Sequence, residues 1–290
     1  MVSQTPIASK FTELRERQQM AFIPFITAGD PDLQWTKRLV RELARCGVDL
    51  IELGFPYSDP IADGPVIQAS YTRALQRGVN VSDVFDAVRE LTAGSPPAAQ
   101  QRMGKAVDSA VAALPPIVAM VSYSIVFRTG PQRFVEQAAQ AGLSGLIVPD
   151  LPADEADALA PIVSTAGLDL VQLIAPTTPP KRAERILAAA SGFLYCISVA
   201  GTTGERDRLP PELADHLRWL RSRSQLPLAV GFGISRPEHV EPLRGLADGV
   251  IVGSAIVRRA ERLSQKDADT NSVLAEIRQF AESMVQACHG

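Results

Sequence analysis

The chain has 290 residues, 46% apolar and 21% charged, with a formal net charge of −3. That balance is ordinary for a globular protein, and it supplies neither a basic surface for nucleic acid nor a polybasic membrane anchor. Three scattered cysteines, Cys46, Cys196 and Cys288, lack the C-x-x-C spacing of a zinc site or disulfide framework and fit a reducing cytoplasm, and no apolar run suggests a signal peptide or a membrane span.

In chain order, strands alternate with amphipathic helices. Residues 11–18 read as a short opening helix, and the apolar, β-prone run 21–27 reads as the first strand. Asp32 is placed to cap a helix reaching Gly47. Val48, Leu50, Ile51 and Leu53 then form a second strand with one anomaly, Glu52. A carboxylate among buried apolar residues costs several kcal/mol or takes up a proton. Past Gly54 the pattern turns into a stiff loop containing Pro56, Pro60, Gly64 and Pro65, which carries Asp59 and Asp63. A strand carboxylate with a loop carboxylate after it is one way to build an acid/base pair. The competing explanation is a core ion pair beside turn-forming acids.

Helices are expected over 66–76 and 82–91, with Ser82 as the cap of the second. Residues 92–116 break the rhythm with Gly94-Ser95-Pro96-Pro97 and Pro115-Pro116, and read as a surface excursion too short to be a domain. Strands follow at 117–121, 145–150, 169–176, 193–198, 227–231 and 249–253. The intervening helices fall at 131–141, 153–165, 180–190 and 211–221, and helices over 254–262 and 271–288 end the chain. Eight short apolar strands, each followed by helix, predict an α/β fold: a single (β/α)8 TIM barrel over residues 1–290, with an extra N-terminal helix. An open doubly wound sheet is less compatible, because the first strand runs into Thr27-Ala28-Gly29-Asp30 and not into G-x-G-x-x-G.

Two glycine-containing turns sit where this fold binds phosphate. Gly231-Phe232-Gly233-Ile234-Ser235 leaves the seventh strand, and Gly253-Ser254 leaves the eighth and opens a helix. Glycines let backbone N–H groups approach an anion, and a helix N-terminus adds free donors. Either turn alone would pass for a tight βα connection; the pair on those two strands favours an anion site. The loop at 199–206, with Gly201, Thr202, Thr203 and Gly204, has the composition of a mobile lid.

Taken together, the segments Phe22–Pro31, Glu52–Gln68, Ala200–Gly204, Gly231–Ser235 and Gly253–Val257 resemble the tryptophan synthase α-subunit family, in order and over nearly the whole chain. The resemblance implies a barrel that cleaves indole-3-glycerol phosphate by retro-aldol chemistry, with no cofactor of its own. It also implies a pyridoxal-phosphate β subunit as partner in an αββα heterotetramer. By position, Glu52 and Asp63 match the family's catalytic carboxylates. Thr203 matches the lid threonine, and Phe25 and Tyr195 match residues lining the indole pocket. Gly204, Gly233, Ile234, Gly253 and Ser254 fall at the phosphate end.

The stretch Ser122-Tyr123-Ser124-Ile125-Val126-Phe127 lacks the Asn and Pro that the family carries after the third strand. A free-standing lyase working without a β subunit is the alternative, and a barrel that only binds is a more distant one. No lysine falls on a predicted strand, which disfavours imine aldolase chemistry. Glu52 is expected to shuttle the proton, its pKa raised by burial, and Asp63 to stay ionised as the acceptor for the indole N–H.

Overall fold

A computed structural model describes residues 4–60, 63–93, 114–198, 211–231, 233–265 and 267–290. Its centre is a closed barrel of eight parallel strands in sequence order: β1 (Ala21–Thr27), β2 (Ile51–Gly54), β3 (Ile117–Met120), β4 (Gly145–Ile147), β5 (Asp169–Ile174), β6 (Leu194–Ile197), β7 (Leu228–Gly231) and β8 (Gly249–Val252). β8 closes on β1 through the pairs Ala21↔Gly249 to Pro24↔Val252. With helices between the strands, this is a TIM barrel. The strands read as near-continuous apolar runs because both faces are covered, the outer by helices and the inner by one another's side chains.

Side chains alternate between two cores. Leu53, Ala119, Leu146 and Val230 face outward against the helices, whereas Ile23, Val118, Ile147 and Ile251 fill the barrel interior. The helix α1 (Pro6–Glu16) closes the end opposite the βα loops. Its Ile7, Phe11 and Leu14 join the interior core, and the Phe11 ring lies 5.6 Å from that of Phe193. Thr5 accepts from the Ala8 N–H and donates to Asp169 Oδ2 at 2.6 Å, fixing the plug to β5. The helix expected from residue 11 therefore starts at Pro6, with Thr5 as its cap and proline in the first turn.

α2 (Leu33–Arg45) is capped by Asp32, and α3 (Pro65–Gln76) follows the proline-rich loop. The cap of α4 (Val81–Thr92) is Asn80 and not Ser82: Asn80 accepts from the N–H groups of Ser82 and Asp83, and the Asp83 carboxylate answers the Asn80 N–H. Most of the expected excursion at 92–116 lies outside the described residues. One helix escapes the sequence pattern, α5 (Tyr123–Thr129), directly behind β3. It is followed by α6 (Pro131–Ala141), α7 (Ala153–Thr165), α8 (Pro180–Ala189), α9 (Pro211–Arg223), α10 (Ser254–Glu261) and α11 (Thr270–His289). No helix among the described residues is long and apolar enough to cross a membrane.

Candidate active site

Leu50, just before β2, and Glu52 and Gly54 on it turn to the barrel interior, as the two-residue period of a strand requires. Glu52 pairs in register with Phe25 on β1 and Val118 on β3. It is 1% exposed, and neither carboxylate oxygen has a hydrogen-bond partner among the described residues. Burial, and then the charge of Asp63, push its pKa up to about 8. Among the described residues, Glu52 forms no core ion pair of the kind the sequence allowed. A protonated carboxyl that nothing holds is a group ready to give its proton away.

Asp63 lies where the β2–α3 loop turns back over the barrel mouth. Gln68 on α3 fixes that turn by donating to the carbonyls of Pro60 at 3.1 Å and Asp63 at 2.8 Å. The Asp63 carboxylate accepts from the Tyr57 hydroxyl at 3.1 Å. Burial raises its pKa to about 6, the Tyr57 hydrogen bond works in the opposite direction, and the charge of Asp150 adds to the rise. Near neutrality Asp63 is thus mostly ionised while Glu52 is mostly protonated. The two groups titrate as a coupled pair.

Aromatic side chains wall the site. Phe25, Tyr71 and Tyr195 all belong to the interior core. Two glycines make the room they occupy. A Cβ on Gly54 would stand 2.5 Å from Phe25 Cζ and 2.7 Å from Tyr71 Oη, and one on Gly231 would stand 2.5 Å from Tyr195 Oη.

The glycine turns after β7 and β8 reach the same mouth. Gly233 has φ of +90°, a left-handed conformation that suits glycine, and Ile234 beside it is buried. Gly253 precedes α10, and Ser254 is that helix's first residue. A Cβ on Gly253 would lie 3.6 Å from Phe25 Cβ, so this turn abuts the aromatic wall. The first N–H groups of a helix have no partner within it, which makes the start of α10 suited to an anion. Thr203 and Gly204 lie outside the described residues. Among the described residues, no group of three or more His, Cys, Asp or Glu side chains is placed to hold a metal ion.

The sequence profile of the family described as tryptophan synthase alpha chain matches residues 11–289. The chain belongs to this family. It is 45% identical to the tryptophan synthase alpha chain of Rhodopirellula baltica over 288 residues, 98% of each chain. It is also 45% identical to that of Rippkaea orientalis over 256 residues, 88% of this chain and 89% of the other. Among solved structures, the tryptophan synthase subunit alpha of Legionella pneumophila matches with a TM-score of 0.82 and 33% identity, over 99% of both chains.

Within this family barrel, the stretch lacking Asn and Pro takes a definite form. Ser122 caps α5, donating its hydroxyl to Asp150 Oδ2 at 2.7 Å, and the Tyr123 N–H donates to Asp150 Oδ1 at 2.7 Å. Tyr123 turns its hydroxyl outward to Glu155, at 2.8 Å. Two residues of the site were not singled out by sequence. Tyr57 was visible only as part of a loop motif. Tyr71 occupies an apolar position on a helix and reads as core; the signal that places it at the site is Gly54, 17 residues earlier, which sequence alone does not connect to it.

Proposed function

We infer that this chain is a lyase of tryptophan biosynthesis that cleaves indole-3-glycerol phosphate to indole and glyceraldehyde 3-phosphate, as an α subunit of tryptophan synthase. The observation that carries the reading is Glu52, a buried, unpartnered carboxyl one loop away from a second carboxylate with a lower pKa. The indole ring leaves only after its C3 carbon gains a proton. Glu52, protonated at neutral pH, gives that proton. Asp63, ionised, accepts the ring N–H and stabilises the positive charge that forms. The Glu52 carboxylate then takes the proton of the glycerol hydroxyl next to the ring. The electrons of the broken C–C bond return to the ring, and the hydroxyl carbon becomes the aldehyde. Glu52 ends protonated, so the cycle closes with no added reactant.

In this reading Phe25 and Tyr195 flank the indole, Gly233, Ile234, Gly253 and Ser254 hold the phosphate with Gly204, and Thr203 closes the lid on Asp63. The whole chain acts as one barrel unit, and its three free, buried cysteines fit a cytoplasmic setting.

The partner in this reading is a β subunit that carries pyridoxal phosphate and uses the indole, in an αββα assembly. Membership of the family supports it. No observation favours a lyase without a partner. The test is indole release from indole-3-glycerol phosphate by the purified chain, alone and with a tryptophan synthase β subunit. Release that rises with β subunit supports both parts of the reading; release with no response rejects the partner, and no release under either condition rejects the activity.

A further inference from the structure

We propose that Tyr71 is a positioning residue for Glu52, its hydroxyl donating to the Glu52 carboxylate once that group has given up its proton. The inference rests on the role of Glu52 given above. Tyr71 is 0% exposed, and its hydroxyl has no hydrogen-bond partner among the described residues. A buried hydroxyl left unpaired is costly, and a tyrosine in a core ordinarily finds a partner. Phenylalanine would fill the same space at no such cost. The hydroxyl therefore sits where it weakens the fold, which is a property of functional sites.

Its location indicates what it serves. The hydroxyl fills the space left by the missing side chain of Gly54, 2.7 Å from where a Cβ would be. Gly54 and Glu52 face inward from the same strand, two residues apart, a rise of about 6.6 Å. Tyr71 Oη thus stands one layer above Glu52, on the side of the barrel mouth. The ring is fixed from two sides, by Phe25 edge-on at 6.4 Å and by Tyr57 at 5.2 Å. The titratable groups around it are Glu52 on β2, Tyr57 and Asp63 on the β2–α3 loop, and Tyr195 on β6. Asp63 already has a donor in Tyr57; Glu52 has none. Burial, followed by the charge of Asp63, raises the Tyr71 pKa well above its usual value, so the hydroxyl remains a donor at every working pH. In the resting site Glu52 is protonated and makes no demand on it. When Glu52 becomes an anion in mid-reaction, Tyr71 is a donor with no other bond among the described residues, and it orients the carboxylate toward the glycerol hydroxyl.

The test is Tyr71→Phe, with three readouts. Turnover should fall about tenfold or more, the size of one hydrogen bond to a charged group, with little change in KM. The alkaline limb of kcat/KM should move up, because the ionised form of Glu52 has lost a donor; carbon-13 NMR titration of the Glu52 carboxyl should show the same rise without turnover. The melting temperature should stay level or increase, because an unpaired hydroxyl has been removed from the core. An alkaline limb and carboxyl titration at their wild-type positions overturn the proposal, whatever kcat does, and so does wild-type kcat. Glu52→Gln measured alongside separates the two readings. If Glu52→Gln is inactive and Tyr71→Phe behaves as wild type, only the Tyr71 role fails. If Glu52→Gln is active, the role of Glu52 fails first.

Discussion

The Tyr57 hydroxyl donates to Asp63 Oδ2 at 3.1 Å, while Glu52, deeper in the same mouth, has no donor among the described residues. Burial, and then the charge of Asp63, raise the Glu52 pKa to about 8, whereas burial raises that of Asp63 to about 6, with the Tyr57 hydrogen bond working against the rise. In the proposed reaction these become an ionised acceptor for the ring N–H and a protonated donor for C3.

The first prediction is a bell-shaped pH profile for kcat/KM. Below about pH 6 Asp63 takes up a proton and ceases to accept from the ring. Above about pH 8 Glu52 loses the proton it must deliver. The two apparent values belong to the coupled pair. Tyr57→Phe removes the bond that holds the Asp63 pKa down, so it should move the acid limb to higher pH. An acid limb in that variant at or below the wild-type position counts against the assignment of Asp63.

The second prediction concerns stability. A carboxyl whose pKa is higher in the folded state binds more protons folded than unfolded, so its contribution to stability is lost as pH rises. For Glu52 the window runs from its ordinary 4.5 to about 8. A tenfold difference in proton affinity between the folded and unfolded chain is worth about 1.4 kcal/mol, so at pH 8 the buried anion costs on the order of a few kcal/mol. Glu52→Gln, which stays neutral, should melt higher than wild type at pH 8 and show a much smaller advantage at pH 5. Thermal scans at the two pH values decide it; equal advantages at both would show that ionisation is not the source.

Much of this arrangement is legible in the sequence, for physical reasons. β1 can be delimited correctly because a parallel strand buried on both faces reads as an unbroken apolar run. Glu52 is conspicuous because an ionisable residue interrupts such a run. What escapes is local or distant. The Thr5-Pro6 start of α1 carries a cap signal, but Ile7, Phe11 and Leu14 are a sparse apolar stripe among polar residues, too thin to announce the first turn of the helix. The seven residues of α5 are too few to display a helical period. Tyr71 depends on a glycine in another element, and only the folded chain brings them together.

The third prediction follows from Gly54. Gly54→Ala places a methyl group 2.5 Å from Phe25 Cζ and 2.7 Å from Tyr71 Oη. Both rings must move, at a cost of about 1–3 kcal/mol for overpacking, and the wall of the site moves with them. Turnover should fall in a chain that still folds. Wild-type stability and kcat in this variant would mean that the two rings have slack the packing does not reveal.

A fourth concerns the brace beneath the anion turn. Arg73 on α3 makes two bonds to Asp30, Nε–Oδ1 at 3.0 Å and Nη2–Oδ2 at 2.7 Å, and a third to Glu261 at the end of α10, at 3.0 Å. Asp30 is 3% exposed. Arg73→Ala leaves a buried anion unpaired and should cost about 3 kcal/mol, whereas Glu261→Ala breaks a half-exposed pair and should cost less than about 1 kcal/mol. Urea unfolding of the two variants measures the difference; equal losses would contradict this ranking.

The central claim is that Glu52 carries the proton of a carbon–carbon cleavage. The most direct measurement is the rate of indole release from saturating indole-3-glycerol phosphate by wild type and Glu52→Gln, with substrate binding measured separately in both. Glutamine keeps the shape of the side chain but cannot pass a proton. The account predicts that the variant binds substrate and releases indole at less than about a hundredth of the wild-type rate, a barrier increase of more than about 2.7 kcal/mol. Release within about tenfold of wild type, under roughly 1.4 kcal/mol, would contradict it.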